Sequence, residues 1–97
     1  MSQLEYRKLD GTELASALAA QPMWQIDNGM LTRLFEFKEY KDGLVFATTV
    51  GWLADNLNHH PDILIGYSKV RVSTTTHDSG GLTSYDFELA KRIDRVA

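Results

Sequence analysis

The chain contains no cysteine, which removes disulfides, thiolate zinc sites and thiol nucleophiles from consideration and fits a reducing compartment. It also lacks any cluster of Lys or Arg, and its net charge is −3. Direct binding to nucleic acid needs a basic patch, so that class is set aside. No stretch approaches the roughly 20 apolar residues of a membrane span. The opening Met1-Ser2-Gln3-Leu4-Glu5-Tyr6-Arg7-Lys8 has no apolar core of the kind a signal peptide carries. The expectation is a soluble, cytoplasmic protein with no membrane partner. Repeats, low-complexity tracts and linkers are missing too. With 97 residues, 43% hydrophobic and 24% charged, the chain is expected to form one globular domain, 1–97, with a modest core.

What is present is concentrated. All three histidines, His59, His60 and His77, fall within one region that also holds Asp55, Pro61, Tyr67 and Asp86. Imidazole, with an unperturbed pKa of about 6.5, exchanges protons near neutrality. A carboxylate one helical turn before the first histidine adds a group able to orient it.

Local signals place these residues on elements. Asp10 caps a first helix, Glu13 completes an Asp-x-x-Glu capping box, and Leu9 staples against Leu14. Leu14 and Leu18 share a face until Gln21-Pro22 ends it. Asn28-Gly29 joins Trp24–Asp27 to Met30–Phe37, a hairpin signal because both turn residues tolerate positive φ. A turn is expected at Lys41-Asp42-Gly43. Phe46, Val50, Leu53 and Leu57 then form one helical stripe. Pro61 keeps His60 out of α geometry, so this helix ends near Asn58 to His59. Ile63–Tyr67 reads as a strand. After a turn near Ser68, Val70, Val72 and Thr74 alternate with Arg71, Ser73 and Thr75 in another. Asp78–Gly81 reads as a loop. Thr83 caps the last helix with Asp86 at the third position, Leu82 staples to Phe87, and Ala90, Ile93 and Ala97 continue the buried face.

The order is therefore α-β-β-α-β-β-α. Two hairpins split by a helix exclude an all-parallel sheet. The expected fold class is α+β, a single four-stranded antiparallel sheet with three helices packed on one face. Its other face, or an edge, stays available to a partner. The segment Tyr67–Thr75, which has no proline, is the expected edge.

The histidines admit three readings. In one, His59 merely ends a helix, favoured by the dipole, and the others are surface residues. In the second, Asp55 and His59, at i and i+4 on one helical face, belong to a metal site. Adjacent histidines usually point apart, however, and no common metal spacing such as His-Glu-x-x-His occurs, so no metal is expected. In the third, two imidazoles face each other across a cleft, one from the helix end and one from a strand end at His77. An acid and a base so placed suit an elimination, with Asp55 fixing one imidazole's tautomer.

Asp55, three residues, His59-His60-Pro61, five residues, Tyr67, nine residues, His77, eight residues, Asp86: this spaced set resembles the signature of the pterin-4a-carbinolamine dehydratases. The likeness extends to the Gly-Leu-Thr and Leu-Ala stretches of the last helix and to the element order. The resemblance implies loss of water from 4a-hydroxytetrahydropterin to give quinonoid dihydropterin. That step supports recycling of the tetrahydropterin used in aromatic amino acid hydroxylation, without a metal or organic cofactor. It also implies His59, His60, His77 and Asp55 as catalytic residues. His59 or His77 would protonate the leaving hydroxyl, and His60 would chiefly orient the pterin. His60, Pro61, Asp62, Tyr67 and Thr76 are implied as substrate contacts. Asp86 is explained by its capping box and Tyr67 equally by strand packing. Two positions depart from commoner patterns: Asp55 stands where Glu is often found, shortening its reach, and Ile63 stands where many relatives carry Trp. Relatives that act as coactivators or assembly factors supply the alternative, a non-catalytic binding protein on the same fold. Relatives are dimers or tetramers, so a homodimer or homotetramer is expected.

Overall fold

The computed structural model describes residues 3–97. Met1 and Ser2, which open the segment read as lacking a signal-peptide core, lie outside the described residues. The elements run α1 (Gly11–Ala19), β1 (Gln25–Asp27), β2 (Met30–Glu36), α2 (Tyr40–Leu57), β3 (Asp62–Ile65), β4 (Lys69–Thr74) and α3 (Ser84–Asp94), with a 3₁₀ turn at His77–Ser79. The strands form one antiparallel sheet in the order β1-β2-β4-β3. Among the described residues no helix is long and apolar enough to cross a membrane.

Local chemistry explains most boundaries. The Asp10–Glu13 capping box closes the start of α1. Arg7 grips the same Glu13 through two hydrogen bonds of 2.9 and 2.7 Å. That contact first, then the Asp10 backbone N–H, lowers the Glu13 carboxyl to about 2. Asn28 and Gly29 both take positive φ, 55° and 79°, and bring Asp27 opposite Met30. Asn58, at φ 53° and ψ 43°, ends α2. Its N–H reaches the Asp55 carbonyl, and the next N–H, of His59, reaches that of Ala54. This is a Schellman closure with Asn in the left-handed position.

The core lies between one sheet face and the helices. Leu31 and Phe35 of β2 stand opposite Thr74 and Val70 of β4. These residues point inward with Val72, towards Phe46, Val50 and Leu57 of α2 and Phe87, Leu89, Ala90 and Ile93 of α3. Val50, Val70 and Val72 are fully buried, each stabilising by about 1.5–3 kcal/mol relative to exposure. Leu53 is only partly buried against this cluster, and α1 contributes Leu14, Ala17 and Leu18 from its rim.

Three expectations change. Lys41-Asp42-Gly43 is not a turn but the first coil of α2. Gly43 is there because a Cβ would meet Val70 Cγ2 at 3.3 Å and Phe37 at 3.5 Å, so its small size lets helix and sheet approach. The segment Tyr67–Thr75 is not an edge: β4 is flanked by β2 and β3. The exposed edge on that side is β3, because the 62–65 hairpin arm folds outward from β4 while β2 claims its inner side. Ala97 does not continue the buried face, since α3 ends at Asp94 and Ala97 is exposed.

The end of α3 is tied to the sheet through one carboxylate. Asp94 Oδ1 accepts from Trp24 Nε1 at 2.8 Å and from Arg33 at 2.7 Å, and the Arg33 guanidinium lies 4.3 Å over the Phe35 ring. Arg33 Nε is buried without a partner among the described residues, so the guanidinium depends on Asp94. Replacing Asp94 by Ala strands two donors and is expected to cost about 1–3 kcal/mol. Guanidinium denaturation measures it, and an unchanged midpoint would show that the tie contributes nothing.

Candidate active site

The Schellman turn sends the two adjacent histidines in opposite directions. His59 turns into the protein and is 7% exposed, while His60 stays in water. The partner of each histidine follows from that divergence. His60 Nε2 lies 2.8 Å from Asp55 Oδ1, an open surface pair. His59 Nε2 lies 2.7 Å from Oδ1 of Asp86. The i, i+4 pairing of Asp55 with His59 is therefore not formed, because α2 stops at Leu57 and His59 leaves the helical path.

Asp86 is 0% exposed, and a buried carboxylate must be fully hydrogen-bonded to persist. Its Oδ1 accepts from His59 and from the Thr74 hydroxyl at 2.7 Å. Its Oδ2 accepts from the Thr76 hydroxyl at 2.8 Å and the Thr83 backbone N–H at 2.9 Å. The Thr76 proton is thus committed to Asp86. Thr83, 2.9 Å away, must then donate its own hydroxyl proton to the Thr76 oxygen, while accepting from Tyr85 N–H at 3.3 Å. Burial alone would raise the Asp86 pKa, but the bonds from His59, Thr74, Thr83 and Thr76 outweigh it and hold the carboxyl below its usual range. Asp86 is therefore an anion, and the proton between it and His59 resides on Nε2. That leaves Nδ1 as the His59 nitrogen free to exchange a proton.

The capping box expected of Asp86 is present, and the same carboxylate also orients His59. Thr74 escaped the sequence reading. Its signal was the Thr74-Thr75-Thr76 run, whose first and third hydroxyls share one side of an extended chain.

His59, His60 and His77 line one cavity of about 620 Å³, with Asn58, Thr75, Thr76 and Tyr6. His77 enters from the 3₁₀ turn after β4, not from the strand itself, and is exposed. Asp55 and Pro61 lie outside this cavity, in an adjoining depression of about 370 Å³ that shares His60 and is walled by Trp52 and Ile63. Asp62 opens β3, pairs with Ser73 and is exposed. Tyr67 is not brought to the histidines. It sits beyond the far end of β3, 81% exposed, with its ring 6.1 Å from that of Tyr40. Two tyrosines that sequence spacing did not single out stand beside His59: Tyr85 at 5.7 Å and Tyr6 at 6.1 Å between ring centroids. Partial desolvation first, then Tyr85 and Asp86, pushes the Tyr6 phenol above its ordinary value. Among the described residues no group of three or more His, Asp or Glu side chains gathers to hold a metal ion.

The buried carboxylate yields a pH-dependent prediction. Its folded pKa lies below the roughly 3.9 of an unfolded aspartate. The stabilisation is therefore complete above that value and is lost as pH falls through the lower, folded one. Asp86→Asn is expected to lose about 1–3 kcal/mol at neutral pH, and the deficit should narrow at pH below about 3.9. Urea denaturation at both pH values measures it. A deficit of equal size at both would mean that the charge carries none of it.

Comparison with known proteins places the chain in a family. Residues 7–96 match the family model described as pterin 4 alpha carbinolamine dehydratase. A protein of Chloroflexus aurantiacus named "Putative pterin-4-alpha-carbinolamine dehydratase" is 43% identical over 89 residues, which span 92% of this chain and 96% of that one. The crystal structure of a transcriptional coactivator/pterin dehydratase from Brucella melitensis superposes with a TM-score of 0.88 at 30% identity, covering 94% of this chain and 99% of that one. A pterin dehydratase-like protein identified as a RuBisCO assembly factor in the alpha-carboxysome shares the fold, with a TM-score of 0.61 at 24% identity over 76% of this chain and 86% of that one. With nearly its whole length matched and its histidines gathered round one cavity, the chain belongs to the pterin-4-alpha-carbinolamine dehydratase family.

Proposed function

We propose that the protein dehydrates 4a-hydroxytetrahydropterin to quinonoid dihydropterin by histidine acid–base catalysis, so that tetrahydropterin can be regenerated for aromatic amino acid hydroxylation. The observation that carries this reading is the convergence of three imidazoles on one cavity, one of them locked from behind by a buried anion. The cavity falls within the roughly 300–1,000 Å³ common for small-molecule sites.

The elimination breaks the C4a–O bond, forms a C=N bond to the neighbouring ring nitrogen, and expels water. A proton goes to the hydroxyl, and the ring nitrogen gives one up. Hydroxide is a poor leaving group, so the first transfer matters most. His59 suits proton exchange because Asp86 fixes its tautomer and holds its ring, leaving Nδ1 free. His77, which lines the same cavity, is the second proton-transfer group. Either can act as acid while the other acts as base. His60, held by Asp55, orients the pterin, and Thr76 lines the pocket beside it. Asp86 does not line the cavity and is a positioning residue. Pro61 shapes the adjoining depression, and Asp62 and Tyr67 lie off the cavity and are assigned no contact. The donor set requires no metal or organic cofactor, and a cysteine-free chain suits the reducing cytoplasm.

Assembly completes the proposal. Among the described residues β3 presents an unpaired edge with Leu64 and Ile65 exposed, and α2 exposes Val45 and Trp52. A chain of this size gains by covering such surface, and self-association into a homodimer or homotetramer would do so, with the tetramer favoured.

Spectroscopic assay of 4a-hydroxypterin dehydration with purified protein tests the chemistry. His59→Ala and His77→Ala should each lower turnover by about 10²–10⁴-fold, while His60→Ala should act mainly on KM. Wild-type turnover in both of the first two variants would overturn the mechanism. Light scattering at micromolar concentration tests assembly, and an active species at the 11.0 kDa of one chain would defeat it.

A further inference from the structure

Among the described residues Tyr6 is the one tyrosine, phenylalanine or tryptophan that lines the histidine cavity. It reaches the site from the N-terminal strap, more than 50 residues from His59 in sequence. One face of its ring is stacked on Tyr85, with centroids 3.9 Å apart and planes within 8°. The other ring near it is that of His59, 6.1 Å away and tilted by 45°, and Tyr6 is 53% exposed.

Hydrogen bonds fix the strap's backbone on both sides of Tyr6. Glu5 N–H donates to Ser84 Oγ at 2.8 Å, and the Ser84 hydroxyl donates back to the Glu5 carbonyl at 3.2 Å. Ser79, in the 3₁₀ turn that carries His77, donates to the Tyr6 carbonyl at 2.9 Å. Leu9 N–H is fixed to the Leu82 carbonyl at 2.9 Å. Tyr6 is therefore tied to the start of α3, which supplies Asp86, and to the turn that supplies His77. An aromatic ring so restrained loses little freedom when a ligand packs on it. The other lining groups are imidazoles, hydroxyls, an amide and the Asp78 carboxylate, able to grip a heterocycle by its edges but offering little flat apolar surface.

We propose that Tyr6 is a substrate-binding residue whose ring forms the aromatic wall on which a flat, pterin-class heterocycle stacks beside His59. This rests on the dehydratase reading and adds to it a residue outside the histidine motif. The strap thereby becomes part of the site. Stacking needs a π face and not the hydroxyl, whose bond to the Asn58 carbonyl is long at 3.4 Å.

The test combines calorimetric titration of 7,8-dihydrobiopterin with steady-state dehydration kinetics on Tyr6→Ala, Tyr6→Phe and Tyr6→Trp. Removing a stacking ring typically weakens binding by about ten-fold or more. Tyr6→Ala should raise Kd and KM together by that factor with kcat little changed, the pattern of lost uniform binding. Tyr6→Phe and Tyr6→Trp should restore both. Unchanged Kd and KM in Tyr6→Ala would overturn the wall. So would a Tyr6→Phe defect as large as that of Tyr6→Ala, or a loss confined to kcat with a lowered Tm, which marks a prop for His59. A wild-type protein that neither binds 7,8-dihydrobiopterin nor dehydrates 4a-hydroxypterin would instead overturn the dehydratase reading itself.

Discussion

A carboxylate removed from water has to find its hydrogen-bond donors inside the protein, and Asp86 finds four of them on three separate stretches of chain. His59 comes from beyond the end of α2, Thr74 and Thr76 from the end of β4, and the Thr83 N–H from the start of α3. Leaving a buried charge unpaired is far more costly than any one of these bonds is favourable. The constraint therefore works in reverse: the ends of α2, β4 and α3 must meet at one point, or the anion is stranded. The helix packing, the sheet terminus and the orientation of His59 all depend on that meeting.

The same network separates the two adjacent histidines into different physical regimes. His59 is held in one tautomer by an anion that water does not screen, so its ring direction is set before any ligand arrives. His60 and Asp55 form their bond in solvent, where such pairs contribute little to stability and are free to rearrange around a ligand. A rigidly held imidazole thus stands beside an adaptable one, and the division comes from one left-handed residue. Asn58 closes α2 and turns the next peptide inward. With an ordinary helical residue there, His59 would stay on the same helical face as Asp55, out of reach of Asp86.

Much of the fold was legible because its signals are short-range. The Asp10–Glu13 and Thr83–Asp86 boxes, the Asn28-Gly29 turn and the Pro61 stop each act within a few residues, and each is found where the sequence places it. Gly43 was misread because glycine signals a turn locally, whereas here its missing Cβ serves a contact with Val70, 27 positions away. The position of β4 was misread for a related reason. Alternation of Val70, Val72 and Thr74 identifies a half-buried strand, but an interior and an edge strand with one covered face alternate alike. Ala97 continued a periodicity that the helix itself did not, because the turn after Asp94 ends the hydrogen-bonded ladder first.

The sequence by itself determined the element order, the antiparallel pairing and the set of residues able to move protons, since periodicity, capping and residue chemistry are local properties. It did not determine which carboxylate meets which histidine. Helical spacing favours Asp55 for His59, and only the convergence of α2, β4 and α3 replaces it with Asp86. Nor did it single out Tyr6 as part of the site, because a strap's position is set by where Ser79 and Ser84 come to rest. Those choices depend on contacts between residues 10 to 80 positions apart, whose energies exist only once the chain has closed on itself.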